Sequence, residues 1–528
     1  MSKGLFIRES SGLVRQMDAR HSFSKVFVFI NPLSVYYTLL YAPALPSASW
    51  SIGIILPVIL ALPVFLVYLF LSEYVPRSSG EYIYISRILG PIPASIQAYA
   101  TIIFNVLIAA IASQLEVTAG ISPALQIIGL SLHDSSLFNL GTSLSTTYFF
   151  PLTTALIVIF WLISLLSPKY FSTYIYVVAI MDTLGSILIS YLLLSSGIEV
   201  YSNVFNHFSS LFSGPTYQSL YSQGLNYYST NISPLQTLVF SVLMLMWVYV
   251  WFFGPSYFAG EYKQATRTLK LGMISGYLIA SVITILLVLG VSYTISIPFF
   301  NFVALQGWGN IPISPSEGFL AWTGILTLPH PFFAIITMAL SASIFMAIPL
   351  NFALPSRVIL AMAFDRLLPE KLAYVSPRLK TPIIASAVLL PISIFFNYAT
   401  IYLNLSVSLI GLVILIFIYQ FLLATISAAI AGFKGIKGVS LTSNEKLKLM
   451  ISGFLASIIL GLSIVVTLWY GYINSLFGSM VFAGNELGTL ILIAIDPLLG
   501  ILTYILAKWY RNRQGIDVNL VFNEIPPD

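Results

Sequence analysis

Residues Leu235–Phe258 read LQTLVFSVLMLMWVYVWFFGPSYF, an apolar run long enough to cross a bilayer as a helix. The run nevertheless contains Gly254 and Pro255 before it ends. Proline lacks a backbone donor and clashes with the preceding turn, and glycine adds flexibility, so the helix is expected to break here. A broken backbone is tolerated inside a membrane only where it faces protein or a water-filled cavity. The stretch therefore predicts an interrupted membrane span with a binding site at the break.

The composition of the whole chain is that of a membrane protein. The 528 residues are 58% hydrophobic and 8% charged, whereas soluble proteins carry about 25% charged residues. The absence of cysteine excludes disulfides, thiol chemistry and cysteine-based metal sites, and nothing in the sequence calls for a cofactor. The excess of basic residues does not indicate a nucleic-acid partner, because their distribution follows the membrane topology. We expect a polytopic protein whose solvent is the lipid bilayer.

Twelve apolar spans can be recognised along the sequence. They lie near residues 26–45, 50–71, 93–118, 148–166, 171–195, 234–258, 271–296, 329–352, 383–398, 402–432, 448–470 and 487–507. All 23 Lys and Arg residues fall in the two tails or in the loops after spans 2, 4, 6, 8 and 10. Basic residues collect in cytoplasmic loops, so both termini are predicted to lie in the cytoplasm of a plasma-membrane protein.

Span 1 offers a second break, because Asn31 and Pro32 lie well inside it. Breaks in spans 1 and 6 are what two inverted five-span repeats require. The predicted divisions are a tail at 1–25, a first repeat at 26–195, an outer loop at 196–232, a second repeat at 233–432, spans 11 and 12 at 433–507, and a tail at 508–528. The fold class is thus an all-α membrane protein of twelve helices.

The two breaks provide the candidate substrate-binding residues. Free N–H groups at the start of a half-helix favour a carboxylate and free carbonyls favour an ammonium, so a zwitterion suits such a site. Aromatic side chains from span 6 are expected to close over it. The predicted contacts from the two breaks are Asn31, Ser34, Tyr249, Trp251, Phe252, Phe253, Gly254, Pro255 and Ser256. Proline kinks that pack against neighbouring helices without a ligand are the alternative.

Two loops carry a family resemblance. Residues 75–91 read VPRSSGEYIYISRILGP, and residues 356–382 read SRVILAMAFDRLLPEKLAYVSPRLKTP. These segments resemble two signatures of the amino acid, polyamine and organocation (APC) permease superfamily, and the segment Ala259-Gly260-Glu261 resembles its acidic exit from the sixth helix. The resemblance implies alternating access around a central site between the first and sixth helices. It also implies that Arg77, Glu81, Arg357 and Asp365 act as gating residues that exchange ion pairs, although weak pairs in a solvated loop are an equal alternative.

One departure from the family bears on the substrate. Members that carry α-amino acids usually have a glycine-rich break in the first helix, whereas this chain has Asn31-Pro32-Leu33-Ser34. Pro32 has no N–H to offer a carboxylate. The resemblance therefore implies amino acids or related amines as substrates, with a polyamine, another organocation or a different small solute as alternatives.

Acidic residues inside the spans are further candidates, because an ionised carboxylate is costly there by about 3 kcal/mol or more. Asp182 in span 5 is predicted to bind a coupling proton, with a structural hydrogen bond as the equal alternative. Glu116 in span 3 is a candidate substrate contact that would attract an amine, with a structural hydrogen bond as the favoured alternative. Asp496 in span 12 lies outside the repeats and is expected to be structural.

The sequence thus predicts a secondary active transporter, coupled to protons or exchanging substrates, and not an enzyme. No cluster of residues with catalytic spacing is visible, and no metal site is expected. A sensor that binds amino acids without transporting them is the alternative on the same fold.

Overall fold

The computed structural model describes residues 10–315, 318–403, 405, 409–482 and 486–526. The first nine residues of the predicted N-terminal tail and the last two of the C-terminal tail lie outside these ranges. Within them the structure is helical, with three isolated β-bridges and no longer strand. The predicted all-α fold is confirmed.

The predicted spans 1 to 12 correspond to the following helices. Spans 1 to 5 are Ala19–Ile30 with Val35–Leu39, Trp50–Tyr74, Pro91–Leu132, Phe149–Ser164 and Pro168–Ser210. Spans 6 to 8 are Pro234–Tyr257, Ala265–Ile295, and Pro331–Ser341 with Leu350–Phe364. Spans 9 to 12 are Ile383–Tyr402, Leu409–Lys434, Ser443–Ile473 and Glu486–Asn512.

Shorter helices connect the spans. They are Glu81–Ile88, Ser135–Ser145, Tyr217–Gly224, Ile297–Gln306, Phe319–Gly324, Ser475–Phe482 and the 3₁₀ segment Val518–Asn523. Across the described residues, nine helices are long and apolar enough to cross a membrane. The remaining three spans are interrupted or bent: spans 1 and 8 are each divided into two helices, and span 4 bends by 77° from the preceding helix. The polytopic membrane architecture is confirmed.

Several boundaries differ from those expected. Span 3 continues to Leu132 through a π-helical segment, Glu116–Ile121, and span 5 continues to Ser210 through Gly197 at φ 72°. Part of the predicted outer loop 196–232 is therefore helical. Span 8 was expected to be continuous over 329–352, but the structure interrupts it between Ser341 and Leu350.

Both tails pack at one end of the bundle. Met17 pairs with Tyr262 after span 6, and Arg77 after span 2 donates from Nε to the carbonyl of Pro526 at 3.1 Å. A further bridge joins Ser78 to Phe258, so the loops after spans 2 and 6 meet there as well. The tails and these basic loops therefore share one face of the protein.

Candidate functional site

Span 1 breaks at Asn31, as the sequence predicts. Asn31 has φ 47° and ψ 80°, a left-handed conformation that asparagine tolerates better than most residues other than glycine. Because Pro32 has no N–H, the carbonyl of Val28 loses its ordinary helical donor, and Val28 lies in the wall of a cavity.

Span 6 unwinds earlier than expected. Its α-helix ends at Met244, a π-helical turn covers Leu245–Tyr249, and a 3₁₀ turn begins only at Gly254. Gly254 is where span 6 approaches span 1 most tightly: a Cβ atom here would lie 2.6 Å from Cδ2 of Phe29. The two predicted breaks are therefore confirmed and lie against each other.

A cavity of about 120 Å³ lies where the two breaks meet spans 3 and 8. Its polar side chains are Asn31, Ser34, Asn351 and the indoles of Trp247 and Trp251. The rest of its wall is apolar and consists of Val28, Phe29, Phe104, Ile108, Ile111, Ala112, Leu115, Ile344, Phe345, Ala347, Ile348 and Leu350. No acidic or basic side chain lines it among the described residues. Such a wall suits a ligand with a small polar head and an apolar body.

The predicted substrate contacts divide into two groups. Asn31, Ser34 and Trp251 line the cavity, and Phe253 lies behind Phe29 with ring centroids 5.2 Å apart. The others point elsewhere. Tyr249 donates to the carbonyl of Ile54 at 3.2 Å, Phe252 packs on Phe65, Ser256 donates to the carbonyl of Phe253, and Gly254 and Pro255 form the turn beyond the cavity.

Three features of the cavity were not anticipated. Trp247 donates from Nε1 to the carbonyl of Ser34 at 3.2 Å and so joins the two breaks. The ring of Phe104 in span 3 stacks on Trp251 with centroids 5.2 Å apart. The interruption of span 8 supplies Ile344, Phe345 and their neighbours. Trp247 precedes Trp251 by four residues, a helical spacing that places both indoles on one face of span 6.

The two acidic candidates inside the spans do not line the cavity. Glu116 is fully buried beside it, and its Oε2 accepts a hydrogen bond from the N–H of Phe345 at 2.9 Å. Asp182 is buried in span 5, and its Oδ1 accepts from the hydroxyl of Ser186 at 3.3 Å. One turn away, Gly185 lies against the backbone of Ser341, so Asp182 is close to the interruption of span 8.

Two buried ion pairs lie at the end of the bundle that carries the tails. Arg357 donates to both carboxylate oxygens of Glu261, and Arg87 donates to both oxygens of Asp365. Arg357 belongs to the helix Leu350–Phe364 and is 1% exposed, so it does not lie in the solvated loop that was the alternative interpretation. Arg357 and Asp365 thus each belong to a buried ion pair, as gating residues that exchange partners require. Their partners, Glu261 and Arg87, were not among the gating residues predicted from the sequence.

Glu81 and Arg77 have different surroundings. Glu81 is fully buried, and its Oε1 accepts from Nε2 of Gln420 at 3.0 Å. Burial raises the pKa of Glu81 to about 7, although this hydrogen bond opposes the effect. Arg77 contacts the C-terminal tail at Pro526. We call Glu81, Arg87, Glu261, Arg357 and Asp365 the gate cluster.

Comparison with known proteins identifies the family. The profile described as Amino acid permease matches residues 22–418, which is more than half of the chain. The chain belongs to the amino acid permease family. This permease is accordingly a multi-pass membrane transporter and not an enzyme, and its class is that of the secondary transporters.

Two further comparisons concern curated proteins and solved structures. No curated protein matches the permease. Among solved structures, a Na⁺-coupled sialic acid symporter in a substrate-bound, outward-open state is similar over 86% of this chain and 89% of its own. The sequence identity is 14% and the TM-score is 0.45.

Proposed function

We propose that this permease transports a zwitterionic amino acid with an apolar side chain by alternating access. The observation that carries the proposal is the cavity between the broken spans 1 and 6. Its polar side chains include Asn31 and Ser34 at the break of span 1, while most of its wall is apolar and includes Phe104 and Ile108 of span 3. The carbonyl of Val28, which loses its helical donor at Pro32, suits the ammonium group of an amino acid, and the apolar wall suits its side chain.

No acidic or basic side chain lines the cavity in the part of the chain that the structure describes, and this favours a neutral zwitterion over a polyamine. A polyamine carries several ammonium groups, each of which needs a carboxylate or several acceptors when it leaves water. Glu116 lies near the cavity, but its Oε2 is already bonded to the backbone of Phe345. Apolar amino acids are therefore the first substrates to test, and other amines come second.

The gate cluster supports the alternating-access part of the proposal. Its two buried ion pairs lie at the end of the bundle that carries both tails, and the basic loops there support the assignment of that end to the cytoplasm. In this proposal the permease lies in the plasma membrane with both termini inside. Opening toward the cytoplasm requires Arg357 and Arg87 to separate from Glu261 and Asp365.

Asp182 is the proposed site of the coupling proton. It is buried in span 5, it pairs with no basic side chain within the described residues, and it lies next to the interruption of span 8. A carboxyl in such a place is neutral when protonated and costly when ionised, which suits reversible proton binding. We expect Asp182→Asn to abolish uptake driven by a pH gradient while exchange of substrate persists.

Counterflow in proteoliposomes tests the proposal. Vesicles loaded with unlabelled leucine should accumulate radiolabelled leucine, unlabelled phenylalanine should compete, and putrescine should not. Trp251→Leu, which removes the indole stacked on Phe104, should weaken uptake. The matched control is Trp469→Leu, because Trp469 is 47% exposed on the outside of the bundle. Binding without flux would favour the sensor, and competition by putrescine alone would favour an amine carrier.

A further inference from the structure

One peptide group in the interruption of span 8 is bonded from both sides. Its carbonyl, on Ile344, accepts from Nδ2 of Asn31 at 2.7 Å, and its N–H, on Phe345, donates to Oε2 of Glu116 at 2.9 Å. Asn31 is the residue at which span 1 breaks, and Glu116 begins the π-helical segment of span 3. The break of span 1 and the π-helical segment of span 3 are therefore connected through one peptide of span 8.

A third side chain fixes the next residue. Tyr174 in span 5 donates its hydroxyl to the carbonyl of Met346 at 2.9 Å. Three consecutive residues of the interruption are thus bonded by spans 1, 3 and 5. Unwound backbone within a membrane leaves polar groups that are costly unless they find partners, so these side chains help to stabilise the interruption beside its own backbone turns.

The bonded residues form part of the cavity wall. Ile344 and Phe345 line the cavity, followed by Ala347 and Ile348. Glu116 itself does not line it and is fully buried behind it. The hydrogen bond to the Phe345 amide therefore links Glu116 to the cavity wall.

We infer that Glu116 is a positioning residue that sets the side-chain selectivity of the cavity by holding the Phe345 amide. The inference rests on the proposed function, since selectivity is measured on a transported amino acid. Loss of the acceptor frees Phe345 and Ile344 to move, and both residues contact the space that receives the substrate side chain.

The charge of Glu116 is not needed for this role. Within the described residues no basic side chain pairs with it, its Oε1 has no hydrogen-bond partner, and the titratable group that faces it is Tyr174. A neutral carboxyl with its proton on Oε1 still accepts from Phe345 with Oε2. Glutamine has the same acceptor and no charge, so Glu116→Gln should preserve the hydrogen bond that Glu116→Leu removes.

Counterflow with phenylalanine and alanine as probes tests the inference. We expect Glu116→Leu to change the ratio of the two KM values by about tenfold, as the loss of a buried hydrogen bond does, with kcat changed less than about twofold. Glu116→Gln should retain the wild-type ratio and pH profile. Tyr174→Phe removes one hydroxyl and should shift the ratio in the same direction. Ser113→Ala is the control, because Ser113 is buried in the same helix and bonds only to its own turn, at Ala109.

A second measurement does not depend on transport. The chain has no cysteine, so Ala347→Cys introduces one thiol that reports on the interruption alone. Its rate of maleimide labelling should change about tenfold with Glu116→Leu and remain unchanged with Glu116→Gln and Ser113→Ala. Unchanged labelling with Glu116→Leu would overturn the inference whether or not the protein transports either amino acid.

The outcomes also separate this inference from the proposed function. A wild-type protein that carries neither probe contradicts the proposed function, and the labelling rates then decide the role of Glu116. A wild-type flux with the same KM ratio in Glu116→Leu contradicts the positioning role alone. A flattened pH profile in Glu116→Gln would overturn it too, because Glu116 would then be a proton-binding residue.

Discussion

Arg357 and Glu261 face each other between spans 6 and 8, with Nε and Nη2 of the guanidinium 2.6 and 3.0 Å from the two carboxylate oxygens. Both side chains are at most 1% exposed. The guanidinium also lies 4.3 Å above the ring of Phe258. A bidentate pair removed from water in this way has fixed geometry, and it joins the end of span 6 to the second helix of span 8.

Removal of one partner of this pair should be severely destabilising. Arg357→Met leaves the Glu261 carboxylate buried without its cation, which typically costs 3–5 kcal/mol in proteins, as an order of magnitude. The double variant Glu261→Leu with Arg357→Met removes both charges and should recover part of the loss, because buried Lys25 then lacks the nearby Glu261 charge. Thermal unfolding in detergent measures both. If the double variant lost as much melting temperature as the two single variants together, this account of the ion pair would be wrong.

The exposed pair of Arg20 and Asp18 provides the control. Their side chains are 58% and 44% exposed, so water and salt screen the interaction. Arg20→Met should leave the melting temperature nearly unchanged. A similar loss at both sites would mean that burial is not what makes the Arg357 pair important.

Much of the fold can be predicted from local sequence. A membrane span needs an apolar run of about 20 residues, so hydropathy locates the spans without knowledge of their neighbours. The break at Asn31 is equally local, because Pro32 removes a donor and the preceding asparagine accepts left-handed geometry.

The interruption of span 8 could not be predicted in this way. Residues 342–349 read ASIFMAIP and contain no glycine, with Pro349 only at the end. Three backbone groups of this segment are bonded by Asn31, Glu116 and Tyr174, which lie far away in the sequence. The ion pairs of the gate cluster could not be predicted for the same reason. Their charged residues can be identified in the sequence, but the pairing of Arg357 with Glu261 depends on the folded bundle.

Glu81 should make stability fall as pH rises. Its pKa is raised by burial to about 7, against an ordinary value of 4.5, so the folded state holds a proton that the unfolded state releases. The contribution of this proton to the free energy of unfolding is fully present below about pH 4.5 and is lost as the pH rises through 7. Glu81→Gln should flatten this dependence and be the more stable protein at pH 8.

Melting temperatures measured between pH 5 and pH 8 check this expectation. Glu199→Gln is the control, because Glu199 is exposed and should not alter the slope. If the melting temperature changed equally with pH in wild type and Glu81→Gln, Glu81 would be ionised in the folded protein throughout this range.

Asn31 contributes through both its backbone and its amide. Asn31→Gly keeps the left-handed conformation but loses the bond from Nδ2 to Ile344, whereas Asn31→Ala loses the bond and also strains the backbone by about 1–2 kcal/mol. We therefore expect stability to decrease in the order wild type, glycine, alanine. The difference between the free energies of unfolding of the two variants, measured with a chemical denaturant, gives the cost of the left-handed backbone alone. Equal stability of the two would show that the positive φ carries no strain.

Gly254 limits the size of the cavity from behind. A Cβ atom at this position would lie 2.6 and 2.8 Å from Cδ2 and Cε2 of Phe29, and 3.3 Å from the carbonyl of Lys25. Since real atoms do not approach so closely, Gly254→Ala must push the Phe29 ring, which lines the cavity. We expect the apparent affinity for leucine in counterflow to fall about tenfold, as overpacking of a tight contact does.

A compensating substitution makes the Gly254 prediction specific. Leucine is shorter than phenylalanine, so Phe29→Leu combined with Gly254→Ala removes the clash and should recover most of the affinity. Gly461→Ala is the control, because nothing lies within 4 Å of a Cβ atom at that position. If the double variant were no better than Gly254→Ala alone, the added methyl group would act on the backbone of span 1 at Lys25 and not on the Phe29 ring.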